Sequence, residues 1–294
     1  MSNATSIISI QSQVVHGHVG NSAAVLPMQA RGLNVAAVPT TLLSNHPGYD
    51  TMRGRVLESE LVADLLRGVE ERGLIQSSRY IVSGYIGSRA NGEVIADFVE
   101  RARRINPNIT YVCDPVMGDV NLGIFVHEQV VECMLERMVP LADILTPNQF
   151  ELGLISGGQA QTFDELHARA QAVIARRHAQ LIVTSSKLAD TPAMALENIV
   201  IGPDRYARLR VPLLPIVPVG TGDLFTGLVT ANLACGYSLV DAADSAAQVV
   251  LDVLRCTIAA GSAEMQLGSV IGILTGTGTQ GWGGNAVDFR ARVC

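Results

Sequence analysis

Short apolar, β-branched runs alternate along most of the chain with longer stretches whose apolar positions recur at helical spacing. Residues 6–10 form the first such run and read as a buried strand, ending in Gln11-Ser12-Gln13. Gly17, Gly20 and Asn21 then precede a helix-like stretch over 22–31, and Gly32-Leu33-Asn34 turns the chain into a second strand over 35–42. A strand, helix and strand in this order predict a parallel pair with a right-handed crossover. The rhythm continues with helices over about 58–72, 92–104, 128–138 and 163–177. Strands over 80–82, 110–113, 143–145 and 181–183 follow them in turn.

The rhythm changes near Met194. Residues 199–201 and 206–211 read as two antiparallel strands joined at Gly202-Pro203-Asp204. Pro212, Pro215 and Pro218 then space an extended segment that suits an edge or flap, because proline lacks the amide a central strand needs. Two helices follow, over 221–234 and 238–260, the second opening on the capping-box-like Ser238-Leu239-Val240-Asp241. The pattern predicts one α/β domain over 1–268 and a flexible glycine-rich tail over 269–294. Within that tail, Thr275-Gly276-Thr277-Gly278 looks like a phosphate loop, but no helical pattern follows it.

The strands share a direction. Ser12, Gly84-Tyr85, Asp114, Asn148 and Thr184-Ser185 all fall at predicted carboxyl ends, where open α/β sheets bind ligands. Composition narrows the ligand. Of 294 residues, 48% are apolar and 16% charged, enough apolar residues for a large core and too few charges for a disordered chain. A net charge of -6, with no block of Lys or Arg, argues against a nucleic-acid partner. The five cysteines show no metal-ligand spacing and suit reduced thiols in a cytoplasmic protein. No run approaches the roughly 18 apolar residues of a membrane span, and residues 1–6 show no leader pattern.

Val219-Gly220-Thr221-Gly222-Asp223 carries the sharpest chemistry. Two glycines around a threonine, running into a helix, would present free amides and the positive end of a helix dipole to an anion. A carboxylate there repels phosphate, which makes sense if Asp223 takes a proton from a group attacking that phosphate. Read alone, the same residues also fit a capped helix and a closing loop. Other candidates carry similar alternatives: Ser12 as a turn cap, Asp114 as a turn acid before Pro115, Glu151 as a first-turn helix acid and Tyr85 as packing. His16, His18 and His46 suit loop hydrogen bonding better than a metal, since no acid lies near them in sequence. Lys187 reads as a solvated surface residue.

Taken together, Ser9-Ile10-Gln11-Ser12, Gly17-His18-Val19-Gly20-Asn21, Ser44-Asn45-His46, Cys113-Asp114-Pro115-Val116-Met117-Gly118-Asp119, Thr146-Pro147-Asn148-Gln149-Phe150-Glu151, Thr184-Ser185-Ser186 and Gly220-Thr221-Gly222-Asp223 resemble the pyridoxal kinases of the ribokinase-like superfamily over about residues 6–260. The Thr-Ser-Ser segment looks more like the eukaryotic members. The resemblance implies a three-layer α/β/α sandwich with a mostly parallel central sheet and a short antiparallel flap. It implies ATP-dependent phosphorylation of the 5'-hydroxymethyl group of a B6 vitamer, with Asp223 as base and Gly220, Thr221 and Gly222 as the anion hole. By the same resemblance Ser12, Pro47, Tyr85, Val219 and Asp223 line the substrate, and Asp114, Asp119, Thr146, Asn148, Glu151, Thr184, Ser185 and Thr221 line ATP. The resemblance further implies that Asp114 and Glu151 hold Mg2+, that K+ assists near the anion hole, and that the enzyme is a homodimer. Pro47 and Leu43 depart from the threonine and phenylalanine common in the family, which alters the pyridine pocket. The flap over 194–217 is short, and the end of the chain lacks the usual closing segment. Two other readings remain at this point: an idle nucleotide- or pyridoxal-binding protein on the same fold, and a kinase for another hydroxymethyl heterocycle.

Overall fold

The computed structural model describes residues 6–275, with 178 and 217 excepted. The chain begins with β1 (Ser6–Val14), α1 (Asn21–Ala30) and β2 (Asn34–Leu43), and β1 and β2 are parallel as expected. Next come β3 (Gly54–Val56), α2 (Ser59–Glu71), α3 (Leu74–Ser77), β4 (Ser78–Ser83), α4 (Arg89–Ile105) and β5 (Thr110–Cys113). A small antiparallel ribbon of β6 (Gly118–Asp119) and β7 (Gly123–Ile124) precedes α5 (Glu128–Cys133). A π-helical turn, Met134–Met138, continues α5 into α6 (Val139–Leu141). β8 (Ile144–Leu145), α7 (Gln149–Ser156), α8 (Phe163–Arg177) and β9 (Gln180–Ser186) follow. β10 (Ala195–Ile201), β11 (Tyr206–Pro212), α9 (Thr221–Ala234), α10 (Leu239–Ala259) and α11 (Ser269–Thr275) close the described chain.

The main sheet runs β11-β10-β9-β8-β5-β4-β1-β2-β3. Its centre, from β9 to β2, is parallel, while β3, β10 and β11 join antiparallel at the two edges. Successive strand residues face opposite layers, as a period of two demands. Ile8, Ile81, Tyr111, Leu145 and Leu181 face one core with α2, α4, α5 and α8. Ile7, Val82, Val112, Ile144 and Ile182 face the other, with α1, α9 and α10. The strand order reverses at β1 and β4, so the crevice of an open α/β sheet lies at their carboxyl ends, between Ser12 and Gly84-Tyr85.

The expected hairpin is present, pairing Ala195 with Pro212 through to Ile201 with Tyr206, and it widens the main sheet instead of standing apart as a flap. Its fully buried Glu197 accepts from Arg208 Nε at 2.8 Å and Arg210 Nε at 2.6 Å, the pairing a buried carboxylate requires. The separate antiparallel ribbon is β6–β7, whose two-residue strands are too short to leave a sequence pattern. Three exposed residues hide β3 in the same way. The proposed tail boundary at 268 also shifts: Ser269–Thr275 is helical, and Val270 and Leu274, one turn apart, are buried in the core. Residues 276–294, including most of Thr275-Gly276-Thr277-Gly278, lie outside the described residues. Cys113, Cys133 and Cys256 are free thiols, whereas Cys235 is disulfide-bonded, against the expectation for all five. Among the described residues, no helix is long and apolar enough to cross a membrane.

Candidate active site

α9 begins at Thr221 as its sequence predicts, with Gly220 at the N-cap in the left-handed region (φ 90°). A side chain there would be strained and would run into the His18 carbonyl oxygen. The first amides of α9 have no partner inside the helix, which leaves them available to an anion. Asp223 lies in that first turn, partly buried, and accepts a hydrogen bond from the Gly20 amide. Gly20 makes this approach at φ 53°, where a Cβ would strike both the carbonyl oxygen and the hydroxyl of Ser12. Burial pushes the Asp223 carboxyl up to about 6, against the pull of the Gly20 amide.

Asp114 lies within electrostatic reach of both Asp223 and Glu151, and Asp114 and Glu151 are both buried (6% and 4% exposed). Burial first, then the charges of Glu151 and Asp223, hold the Asp114 carboxyl well above the usual range. Thr226, one turn into α9, donates to Asp114 Oδ2 at 3.3 Å and meets the Thr146 hydroxyl at 2.9 Å. Burial likewise pushes Glu151 up to about 7, although it accepts from the amides of Met117 (3.0 Å), Gly118 (3.4 Å) and Asn148 (2.9 Å). Crowded acids with raised proton affinity are what a cation would relieve. Among the described residues, no group of three or more His, Cys, Asp or Glu could hold a metal directly. The oxygen donors present therefore suit a cation that keeps its waters and leans on phosphate oxygens.

The other residues assigned to ATP are placed by local structure. Asn148 caps α7, with its Oδ1 accepting from the Glu151 amide at 2.9 Å and its Nδ2 donating to the Gly118 carbonyl at 2.7 Å. With Glu151 returning to the Asn148 amide, this is a capping box, and it couples the end of β8 to the β6–β7 ribbon. Asp119 accepts from the amides of Asn121 (2.7 Å) and Leu122 (2.8 Å), and so shapes the ribbon's turn. Thr184 bridges to Asn148 at the end of the parallel sheet. Ser185 is exposed and left-handed (φ 51°), the one non-glycine residue with positive φ among the described residues, and its amide donates to Asn198 Oδ1 at 3.1 Å. Strain of this kind concentrates at ligand sites. Lys187 is exposed, as expected, and its Nζ donates to the Ala193 carbonyl.

On the substrate side, Ser12 is buried where the pairing of β1 with β2 slips by one residue, opposite Thr40 and Thr41. Such irregularities re-aim side chains beside active sites. Tyr85 is half-buried across the switch point, and burial raises its phenol above the ordinary value. Pro47 is exposed on the 44–50 loop, next to Gly48, where an added Cβ would lie 4.0 Å from Val219 Cγ2. Val219 itself is 48% exposed. Three contributors escaped the sequence reading. Gly20 was visible only as part of a motif, and Thr226 only as the residue three beyond Asp223. Glu264 bonds His46 at 2.9 Å across 218 positions of sequence, so the acid missing near the histidines is supplied by the fold.

The family model described as phosphomethylpyrimidine kinase matches residues 20–268. The chain is 41% identical to pyridoxal kinase PdxY of Rubrobacter xylanophilus over 262 residues, covering 89% of this chain and 90% of that protein. It is 38% identical to pyridoxal kinase PdxY of Granulibacter bethesdensis over 292 residues, covering 98% and 99%. The solved pyridoxal kinase of Leishmania donovani, in complex with ADP and pyridoxine, superposes with a TM-score of 0.82 at 29% identity, covering 90% of this chain and 94% of that one. Overall identity is thus higher to these two bacterial relatives than to the Leishmania enzyme, although the Thr184-Ser185-Ser186 segment pointed to eukaryotic members. With its ribokinase-like sheet, its helix-mouth carboxylate and relatives matched over nearly their whole length, the chain belongs to the pyridoxal kinase family.

Proposed function

We propose that this chain transfers the γ-phosphoryl group of ATP to the 5'-hydroxymethyl oxygen of pyridoxal, and of pyridoxine and pyridoxamine, yielding the 5'-phosphate and ADP. The observation that carries the reading is Asp223: a carboxyl raised to about 6, in the first turn of a helix whose first amides have no partner within it. Near neutral pH it is ionised yet more basic than an ordinary carboxylate, which suits a general base. Asp223 takes the hydroxyl proton as the substrate oxygen bonds to the γ-phosphorus. The bond from that phosphorus to the β,γ-bridging oxygen breaks, and the electron pair leaves with ADP. Charge on the transferred group faces the anion hole of Gly220, Thr221 and Gly222, so catalysis is positioning plus electrostatic stabilisation.

Asp114 and Glu151 would hold Mg2+ through its waters, and the ion would supply charge neutralisation to the phosphates. Glu151 already accepts three amides, which supports an outer role for it and a nearer one for Asp114. Ser12, Pro47, Tyr85 and Val219 face the vitamer ring. Thr146, Asn148, Asp119, Thr184 and Ser185 frame the nucleotide, and a monovalent cation such as K+ would assist near the anion hole. The same reading makes the protein a cytoplasmic homodimer with small-molecule substrates and no nucleic-acid or membrane partner.

One other substrate is favoured by a specific observation. The matching family model is described as phosphomethylpyrimidine kinase, a name that points to a pyrimidine ring in place of the pyridine. The motifs Ser9-Ile10-Gln11-Ser12 and Ser44-Asn45-His46 and the named relatives favour the pyridine. An idle binding protein would have no use for a base at the anion hole. Comparing kcat/KM for the three vitamers and for a hydroxymethylpyrimidine decides the matter. At least about a hundredfold preference for a vitamer is expected, in line with the rejection of an analogue that leaves buried polar groups unpaired. A preference for the pyrimidine would reverse the assignment.

A further inference from the structure

Glu264 stands where the two loops flanking the candidate pocket meet. The segment that carries it follows α10 and is anchored by Met265 and Leu267, both nearly fully buried. Ser262 Oγ accepts from the Glu264 amide at 3.1 Å and donates to its carbonyl at 2.8 Å, which fixes the backbone. From this base the carboxylate reaches between the 15–20 and 44–50 loops. Its Oε1 accepts from the Tyr49 hydroxyl at 2.6 Å and from His46 Nε2 at 2.9 Å. Its Oε2 lies 4.0 Å from His18 Nδ1, a buried atom with no hydrogen-bond partner. Gly17 passes so close that a Cβ there would sit 2.9 Å from Oε2.

The geometry also settles the state of His46. Its Nδ1 accepts from the Gly48 amide at 3.1 Å, so that nitrogen bears no proton and Nε2 carries the one donated to Glu264. The Tyr49 hydroxyl meets His16 Nε2 at 3.2 Å as well. His18, His46 and Tyr49 thus face this carboxylate, with His16 reaching it through Tyr49, and they come from both loops. The 15–20 loop ends at Gly20, which holds Asp223, and Gly48 packs toward Val219, the residue before the anion loop.

We propose that Glu264 is a positioning residue for the vitamer pocket: through His46 and Tyr49 it fixes the 44–50 loop against Val219, and so governs vitamer affinity and not phosphoryl transfer. The proposal rests on the B6-kinase reading of the site. Removing the carboxylate leaves the buried Nε2–H of His46 without its acceptor, and charge-assisted bonds of this kind are the strong ones. A loop that is no longer held in place must be ordered when the ligand binds, which weakens binding.

The test compares Glu264→Ala, Glu264→Gln and Tyr49→Phe with the wild type. In Glu264→Ala, KM for pyridoxal should rise about tenfold while kcat and KM for ATP stay within about twofold, the split expected when binding alone is lost. Glu264→Gln keeps an oxygen acceptor and should restore KM to within about threefold, with Tyr49→Phe in between. Hydrogen exchange at the Gly48 amide gives a readout that needs no turnover, and it should quicken at least about tenfold in Glu264→Ala. A pyridoxal KM within twofold of wild type in Glu264→Ala, or parallel changes in both KM values and kcat, would overturn the proposal. If the wild type phosphorylated no vitamer, the kinase reading would fall, and the Gly48 exchange rate alone would decide whether Glu264 holds the loop.

Discussion

The amide of Gly20 donates a hydrogen bond to the carboxylate of Asp223, tying the turn that opens α1 to the turn that opens α9. The N-termini of two helices far apart in sequence thereby meet at the carboxylate proposed as the base. A side chain at position 20 is opposed both by the positive φ and by Ser12, whose carbonyl and hydroxyl oxygens occupy the space. Gly20→Ala should therefore cost about 2 kcal/mol or more of stability, because strain and overlap act together. It should also lower kcat/KM at least about tenfold by shifting the base. Urea unfolding and a steady-state assay on the same preparation check both effects.

Asp223 should trade stability for function. Its folded value of about 6 lies above that of a free aspartate, so the folded state holds the proton more tightly than the unfolded chain does. This favours folding fully only below the unfolded value, and the benefit is lost as pH rises through about 6. At pH 8 the buried charge thus opposes folding, and Asp223→Asn should be more stable than wild type by about 1–3 kcal/mol. The difference should shrink toward zero near pH 4. Unfolding midpoints at the two pH values measure it.

The same group sets the pH dependence of turnover. A base must be unprotonated, so kcat/KM for the vitamer should fall as pH drops through about 6, approaching tenfold per pH unit on the acid side. A profile flat down to pH 5 would remove Asp223 from the base role.

Thr226 separates hydroxyl chemistry from side-chain shape. Its hydroxyl is shared between Asp114 and Thr146, and all three residues are buried. Thr226→Val keeps the volume but leaves Asp114 Oδ2 without this donor, a loss of about 1–3 kcal/mol for a buried polar group. We expect it to weaken Mg·ATP use about tenfold and Thr226→Ser to restore it, as measured by KM for ATP at fixed Mg2+.

The legible parts of this protein were those written in local sequence. The start of α9 at Thr221 follows from Gly220-Thr221-Gly222-Asp223, and the cap of α10 from Ser238, whose Oγ accepts the Asp241 amide at 3.2 Å. The common direction of the parallel strands was legible from Asp114 and Asn148, each just past its strand, whereas β1 continues through Ser12 to Val14. Short elements were not: α7 has eight residues, and the strands of the β6–β7 ribbon two each, too few for a period to show. Nor was Glu264, because nothing local marks an acid that finds His46 only after the sheet has closed. Nor were Val270 and Leu274, because the glycines around them mask a single helical turn pair.

The most direct test of the account is to incubate the purified chain with ATP, Mg2+ and pyridoxal, following ADP release and pyridoxal 5'-phosphate formation beside Asp223→Asn. The account predicts equal amounts of the two products from the wild type, and turnover at least about a hundredfold lower in the variant with ATP binding retained. Binding of pyridoxal and ATP by the wild type without product, or turnover by Asp223→Asn within a few-fold of wild type, would contradict it.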